Sequence, residues 1–223
     1  MDMDQELYRD VLDFAHETPS WFQSLAELWT ELGLLLFGAL FVVAWWRARA
    51  GDTRLMALAV LAPLATAAGY VVSEVLKSLI EEERPCRAVA GAAASLVACP
   101  PHGDWSFPSN HSAIAGAGAV GLALAWRRVA LLTVPMAVLM ASSRVFVGVH
   151  YPHDVAAGLV LGALVAFLFV RLLRRPVTAL TDAVRSSRAP AVAWLAGRGP
   201  VRPATRPEHT SHRAPRRVRH RAR

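Results

Sequence analysis

Apolar residues fall in five blocks separated by short polar stretches: Leu28–Trp46, Leu55–Leu79, Ser112–Trp126, Val129–Val147 and Val155–Leu173. A helix rises about 1.5 Å per residue, so ~20 residues cross a hydrocarbon core of roughly 30 Å. Each block therefore reads as a membrane helix, the third being short by that measure. Ahead of them, residues 5–27 set Leu7, Tyr8, Val11, Leu12, Phe14 and Ala15 among acids, the pattern of one or two amphipathic helices lying on a surface. A sixth span there would bury Asp10, Asp13, His16 and Glu17. Beyond Arg174 the periodicity dissolves into Pro, Arg, Ser, His and Ala, which predicts a disordered tail. The expected fold class is all-α: an integral membrane helical bundle of about five transmembrane helices plus an N-terminal amphipathic interfacial helix. Its parts are residues 1–27, the amphipathic segment, 28–173, the membrane domain, and 174–223, the Arg/Pro-rich tail.

Charge orients this bundle. The net charge of +7 averages over a strongly polar distribution. Eight carboxylates against the single Arg9 occupy residues 1–31, whereas fourteen arginines against Asp182 and Glu208 follow from Arg171 onward. Arg47, Arg49 and Arg54 fill the first loop and Arg127 and Arg128 the third, so all the basic loops share one side. By the positive-inside bias that side is cytoplasmic. The opposite, extracytoplasmic side receives residues 1–27, 80–111 and the turn at 148–154. The acidic N-terminus does not read as a secretory leader. A basic tail directly after a membrane span points to anionic lipid headgroups as its partner, not to nucleic acid.

The chemistry-bearing residues gather on the side away from the arginines. Lys77 is the only lysine in the chain; Arg84-Pro85 follow it, then Pro108-Ser109-Asn110-His111, then Ser143-Arg144, His150 and Asp154. Three fixed cations suit a phosphoryl group: guanidinium forks bind it bidentately and an ammonium acts as a point charge. Ser109, Asn110 and nearby backbone N–H groups at the start of the third helix add donors. A neutral imidazole is a competent nucleophile, and His150 is the candidate, with Asp154 accepting a hydrogen bond from its other ring nitrogen. His111 is placed to act as general acid and then as base. Pro152 marks the first turn of the last helix. Taken singly, the Lys and Pro-Ser-Asn-His patterns have ordinary readings, a snorkelling lysine and a helix cap. All three clusters in order, on one face, make coincidence improbable.

These three clusters resemble the three-part signature of the type 2 phosphatidic acid phosphatase superfamily. The forms Phe107-Pro-Ser-Asn-His-Ser112 and Val147-Gly-Val-His-Tyr-Pro-His-Asp154 are most similar to its undecaprenyl-diphosphatase (bacitracin-resistance) branch. The resemblance covers residues 77–154 strongly and the span pattern extends it to about 28–173. It implies a helical bundle and a metal-independent phosphohistidine mechanism, with no cofactor and no metal. Carried over by position, Lys77, Arg84, Ser109 and Arg144 bind phosphate, His111 is the general acid, His150 the nucleophile and Asp154 its partner. Asn110 stands where the family commonly has Gly, a position where Asn tolerates positive φ.

The function expected is thus release of the terminal phosphate of undecaprenyl or another polyprenyl diphosphate at the outer face. Alternatives are a phosphatase of phosphatidic acid, phosphatidylglycerol phosphate or another lipid phosphate, or a non-enzymatic lipid-binding or transport protein. Several other residues are expected to stand aside. His153 is read as a rim residue pointing away from His150. Glu81, Glu82 and Glu83 are read as a solvated run pointing away from the pocket, and His102 and Asp104 as loop surface. Glu74 is expected to pair with Lys77, Arg84 or Arg144. Cys86 and Cys99 share the outer loop, where a disulfide is favoured over two free thiols.

Overall fold

A computed structural model of the protein describes residues 3–187 and 190–197. The helices run in the order α1 (Met3–Glu17), α2 (Ser20–Ala48), α3 (Thr53–Ile80), the single turn α4 (Pro85–Ala88), α5 (Asn110–Ala125), α6 (Ala130–Phe146), α7 (Pro152–Ser186) and α8 (Pro190–Ala196). No strand occurs among the described residues. The segments carrying α2, α3, α6 and α7 are long and apolar enough to cross a membrane. Their outward faces expose Leu35, Val42, Val71, Val75, Leu131, Leu139, Val160 and Leu172. Such an apolar exterior suits hydrocarbon as the surrounding solvent.

The third apolar block is α5, and its 16 residues account for its shortness. It is the hub of the bundle, packed against α2, α3, α6 and α7. Residues on every side of it are buried, from Ser112 and Ala113 to Leu122 and Ala125. A helix enclosed by other helices need not match the thickness of a bilayer by itself. Small residues make that enclosure tight, as the Ala113, Ala117, Gly121 face leads one to expect. Ala113 meets Gly162 of α7, Ala117 meets Gly69 of α3, and Gly121 lies against Ala62. At Gly162 an added Cβ would stand 1.9 Å from the Ala113 carbonyl oxygen, so backbone touches backbone there.

Two boundaries differ from the sequence expectation. The amphipathic segment is one helix, α1, and residues 20–27 are the first turns of α2; Pro19, in extended backbone, separates them. The buried face of α1 (Tyr8, Leu12, Ala15) packs on protein, with Tyr8 and Leu12 meeting Val89 and Tyr151, whereas Met3 and Phe14 stay exposed. At the other terminus α7 does not stop at Leu173. It continues to Ser186 and α8 follows, because this stretch docks on the α2–α3 turn. Arg185 donates to the Ala48, Gly51 and Ala196 carbonyls at 3.0, 2.9 and 2.9 Å, and Thr53 bonds Asp182 at 3.3 Å. The disorder expected of residues 198–223 lies outside the described residues.

Candidate active site

The ends of four helices converge opposite that arginine-rich turn. Helix α3 carries Lys77 in its last turn and is stopped by Glu81, whose φ of 53° is left-handed. Arg84 caps α4, with Pro85 as its first residue. After α6 the chain reverses through Gly148, whose φ of 83° is closed to most side chains. The Gly148 carbonyl accepts the Tyr8 hydroxyl at 3.0 Å, so α1 clamps this reversal. Burial and neighbouring Tyr151 push the Tyr8 phenol up to about 12, and it remains a donor across the physiological range. The turn delivers His150, and α7 begins at once. Asp154, at the third helical position, accepts the Tyr151 N–H at 2.8 Å as part of a capping box.

Lys77, Arg84 and Arg144 retain only 5%, 2% and 6% of their surface, which marks them as fixed charges and not as solvated ones. Arg84 is the organising group. Its Nε donates to the Asp104 carbonyl at 2.7 Å and its Nη2 to Asp104 Oδ1 at 2.8 Å. Its Nη1 donates to the Val149 carbonyl at 3.0 Å and faces His150 Nε2 at 3.1 Å. A guanidinium can only donate, so Nε2 carries a lone pair and the ring proton sits on Nδ1. That nitrogen lies 3.2 Å from Asp154 Oδ2. Burial, opposed by the Asp154 hydrogen bond but joined by Arg84 and Arg144, pushes His150 down to about 4. The imidazole is neutral near pH 7, with Nε2 available as a nucleophile.

Arg144 reaches across from α6 to α2, donating from Nη1 to Thr30 Oγ1 at 2.9 Å. Its Nε is buried with no hydrogen-bond partner among the described residues, a donor positioned for an anion. His111 lies within electrostatic range of Arg144, His150, Lys77 and Arg84. Ser109 is fully buried; its N–H is taken by the Asp154 carbonyl at 3.1 Å and its Oγ accepts from Ser112 at 3.2 Å. Asn110 turns toward α3, where it bonds Ser73 at 2.7 Å and donates to Glu74. The Asn110 amide thus secures α5 to α3 and does not join the cations. Glu74 pairs with that amide and with none of its three expected partners.

Three participants escaped the sequence reading. Ser106 donates to Asp154 Oδ2 and lies 3.4 Å from His150 Nδ1, bracing both. Thr30 was visible only as a polar residue inside an apolar block. Asp104 is not loop surface: its Oδ1 bridges Lys77 Nζ at 3.0 Å and Arg84 Nη2 at 2.8 Å. Burial would raise the Asp104 carboxyl, but the hydrogen bonds from Arg84 and Lys77 outweigh it and hold it below the usual range.

His153 sits at the rim with a half-exposed side chain, its Nε2 3.1 Å from Asp154 Oδ1 and 3.1 Å from Glu82 and its Nδ1 2.7 Å from Asp4. Glu82 is thus partly exposed and paired with His153 at the rim. Glu82, His153 and Asp154 present ligand atoms within 4.8 Å of one another. The His153 ring already lies between these carboxylates and balances them. Cys86 and Cys99, 13 residues apart, are joined in a disulfide that closes the stretch directly after Arg84. A crosslink of that span contributes about 3 kcal/mol by loop-closure entropy.

The chain matches the PAP2 superfamily over residues 58–177. It is 30% identical over 179 residues to undecaprenyl-diphosphatase BcrC of Bacillus subtilis, covering 78% of this chain and 87% of that one. Two solved structures share its fold: a transmembrane PAP2-type phosphatidylglycerolphosphate phosphatase of Bacillus subtilis and LpxE of Aquifex aeolicus. Their TM-scores are 0.59 and 0.61 at 24% and 21% identity, covering 78% and 77% of this chain and 88% and 96% of theirs. The chain belongs to the PAP2 superfamily, as an all-helical, multi-pass membrane phosphatase.

Proposed function

We propose that this chain hydrolyses the terminal phosphate of a polyprenyl diphosphate, undecaprenyl diphosphate in particular, through a phosphohistidine on His150. The observation that carries the reading is the orientation of His150: Nδ1 held by Asp154, Nε2 free of protons and turned to a cluster of buried cations. Lys77, Arg84 and Arg144 hold the non-bridging oxygens, where negative charge grows in the transition state. Nε2 attacks the terminal phosphorus in line. Burial and the surrounding cations push His111 down to about 3 in the free site, so its acid form arises as the anionic substrate offsets those cations. The bond to the bridging oxygen then breaks, and His111 protonates that oxygen as the lipid monophosphate leaves. His111 then takes a proton from water, whose oxygen attacks the phosphohistidine, breaks the P–N bond and releases inorganic phosphate. Asp154 offsets the charge on the imidazole while phosphorus is attached.

The substrate assignment is supported by likeness to an undecaprenyl-diphosphatase across most of both chains. The placement we infer puts the site at the extracytoplasmic rim and the arginine-rich end, including the tail, at the cytoplasmic surface against anionic lipid headgroups. There the prenyl chain stays in the bilayer while its headgroup enters the pocket. Phosphate release by purified protein, in chelator, from undecaprenyl diphosphate, phosphatidic acid and phosphatidylglycerol phosphate tests the assignment. The diphosphate should give the highest kcat/KM. A preference for either glycerolipid would replace it.

A further inference from the structure

Asp104 occupies an unusual place for a carboxylate. One of its oxygens sits between the Lys77 ammonium and the Arg84 guanidinium, the two groups on which an anionic substrate would rest. Its side chain is 43% exposed, so it lies at the mouth of the site and not beneath it. The backbone is anchored separately, by Arg84 Nε on the Asp104 carbonyl at 2.7 Å and by the Ser106 N–H on the Glu82 carbonyl at 2.7 Å. The preceding Gly103 has φ of 89° and open space where a Cβ would be. The side chain can therefore swing off the cations while the loop keeps its place.

We propose that Asp104 is a specificity-determining residue: a built-in competitor that an incoming phosphate must displace from Lys77 and Arg84. This rests on the reading of that pair as phosphate-binding. A carboxylate carries a single negative charge, as does the phosphodiester headgroup of an ordinary phospholipid. A terminal phosphate carries about −1.5 to −2 at neutral pH. The more highly charged group outcompetes the internal carboxylate, whereas the phosphodiester gains little by the exchange. A membrane-facing site surrounded by phosphodiesters at high local concentration is thereby kept clear for terminal phosphates, a form of selectivity by repulsion.

The test compares full-length wild type with Asp104→Asn, which keeps the size and the backbone anchor but removes the charge. Phosphate release from a lipid diphosphate is measured in micelles at increasing mole fractions of phosphatidylglycerol. Asp104→Asn should lower KM by about tenfold, the loss of one competing ion pair, with kcat changed far less. Half-inhibition by phosphatidylglycerol should need several-fold less lipid than in wild type. An unchanged or raised KM, or unchanged phosphatidylglycerol inhibition, overturns the proposal and leaves Asp104 as a group that merely positions Lys77 and Arg84. Asp104→Ser is the second variant, and loss of folded protein in both would equally overturn it. None of these results touches the phosphohistidine reading, which stands or falls on His150.

Discussion

The two ends of the bundle use arginine in opposite ways. At the site end Arg84 and Arg144 are buried, held by carbonyls, hydroxyls and a carboxylate, and surrounded by groups that depend on their position. At the other end Arg47 lies over Trp126 at 4.3 Å and Arg49 over Trp46 at 4.5 Å, each guanidinium resting on an aromatic face. Arg47 and Arg54 there remain exposed. Desolvating a cation is costly unless something compensates it. The site end bears that cost in full; at the other end Arg47 and Arg54 avoid it, and Arg185 bears it in part against three helix-end carbonyls. Burial, more than the presence of charge, distinguishes a reaction site from a membrane-facing collar.

That contrast orders the effects of substitution. His150→Ala should abolish turnover, since among the described residues it is the imidazole held by a carboxylate on one nitrogen with the other against Arg84; phosphate release from purified protein measures it. Arg144→Ala or Arg84→Ala should each lose about 3–4 kcal/mol of transition-state stabilisation, a fall of ~10²–10³ in kcat, by analogy with removal of one oxyanion donor. Ser106→Ala leaves the His150–Asp154 pair in place but removes its brace. A loss of about 1 kcal/mol, roughly fivefold in kcat, is expected from one hydrogen bond. Gly162→Ala should act on stability, costing about 1–3 kcal/mol by overpacking the α5–α7 contact, and show as a lowered melting temperature in detergent. Arg47→Ala at the opposite end should change kcat by less than about twofold. An Arg47 effect as large as that of Arg144 would erase the distinction between the two ends.

Acid should expose the same asymmetry. The His150 value is depressed to about 4, and the proposed nucleophile is the neutral ring. Corrected for the substrate's own second phosphate ionisation, at about pH 6, the kcat/KM of the free enzyme should therefore hold as pH falls below the ordinary imidazole range. It should decline only toward pH 4, where Nε2 takes up a proton and can no longer attack. A decline centred near 6.5 would mean that this ring is solvated.

The sequence was informative where physics is local and additive. Long apolar blocks announce helices, and Pro152 announces the start of α7. The ordered Lys77, Arg84, Arg144, His150 and Asp154 pattern anticipated side chains that the fold does bring together. It was uninformative where a partner lies across the fold. Asp104 and Ser106 belong to an irregular loop, and only the three-dimensional path of residues 81–109 carries them to Lys77 and Asp154. Thr30 sits on α2, 114 positions from Arg144. Asn110 looked like a phosphate ligand from its place in the motif, yet its amide faces Glu74 on α3, a direction that spacing cannot reveal. Composition misled beyond Leu173, because Arg185 finds helix-end carbonyls on the α2–α3 turn and the arginine-rich stretch folds against them.

The central claim is that His150 Nε2 takes the phosphoryl group. It is tested most directly by rapidly quenching the wild-type enzyme in the first turnovers of a diphosphate substrate labelled in its terminal phosphate. Peptides are then mapped under alkaline conditions. The account predicts an acid-labile phosphate on the peptide containing His150, absent from a His150→Ala control. Label on another residue, or the same label in that control, would contradict it.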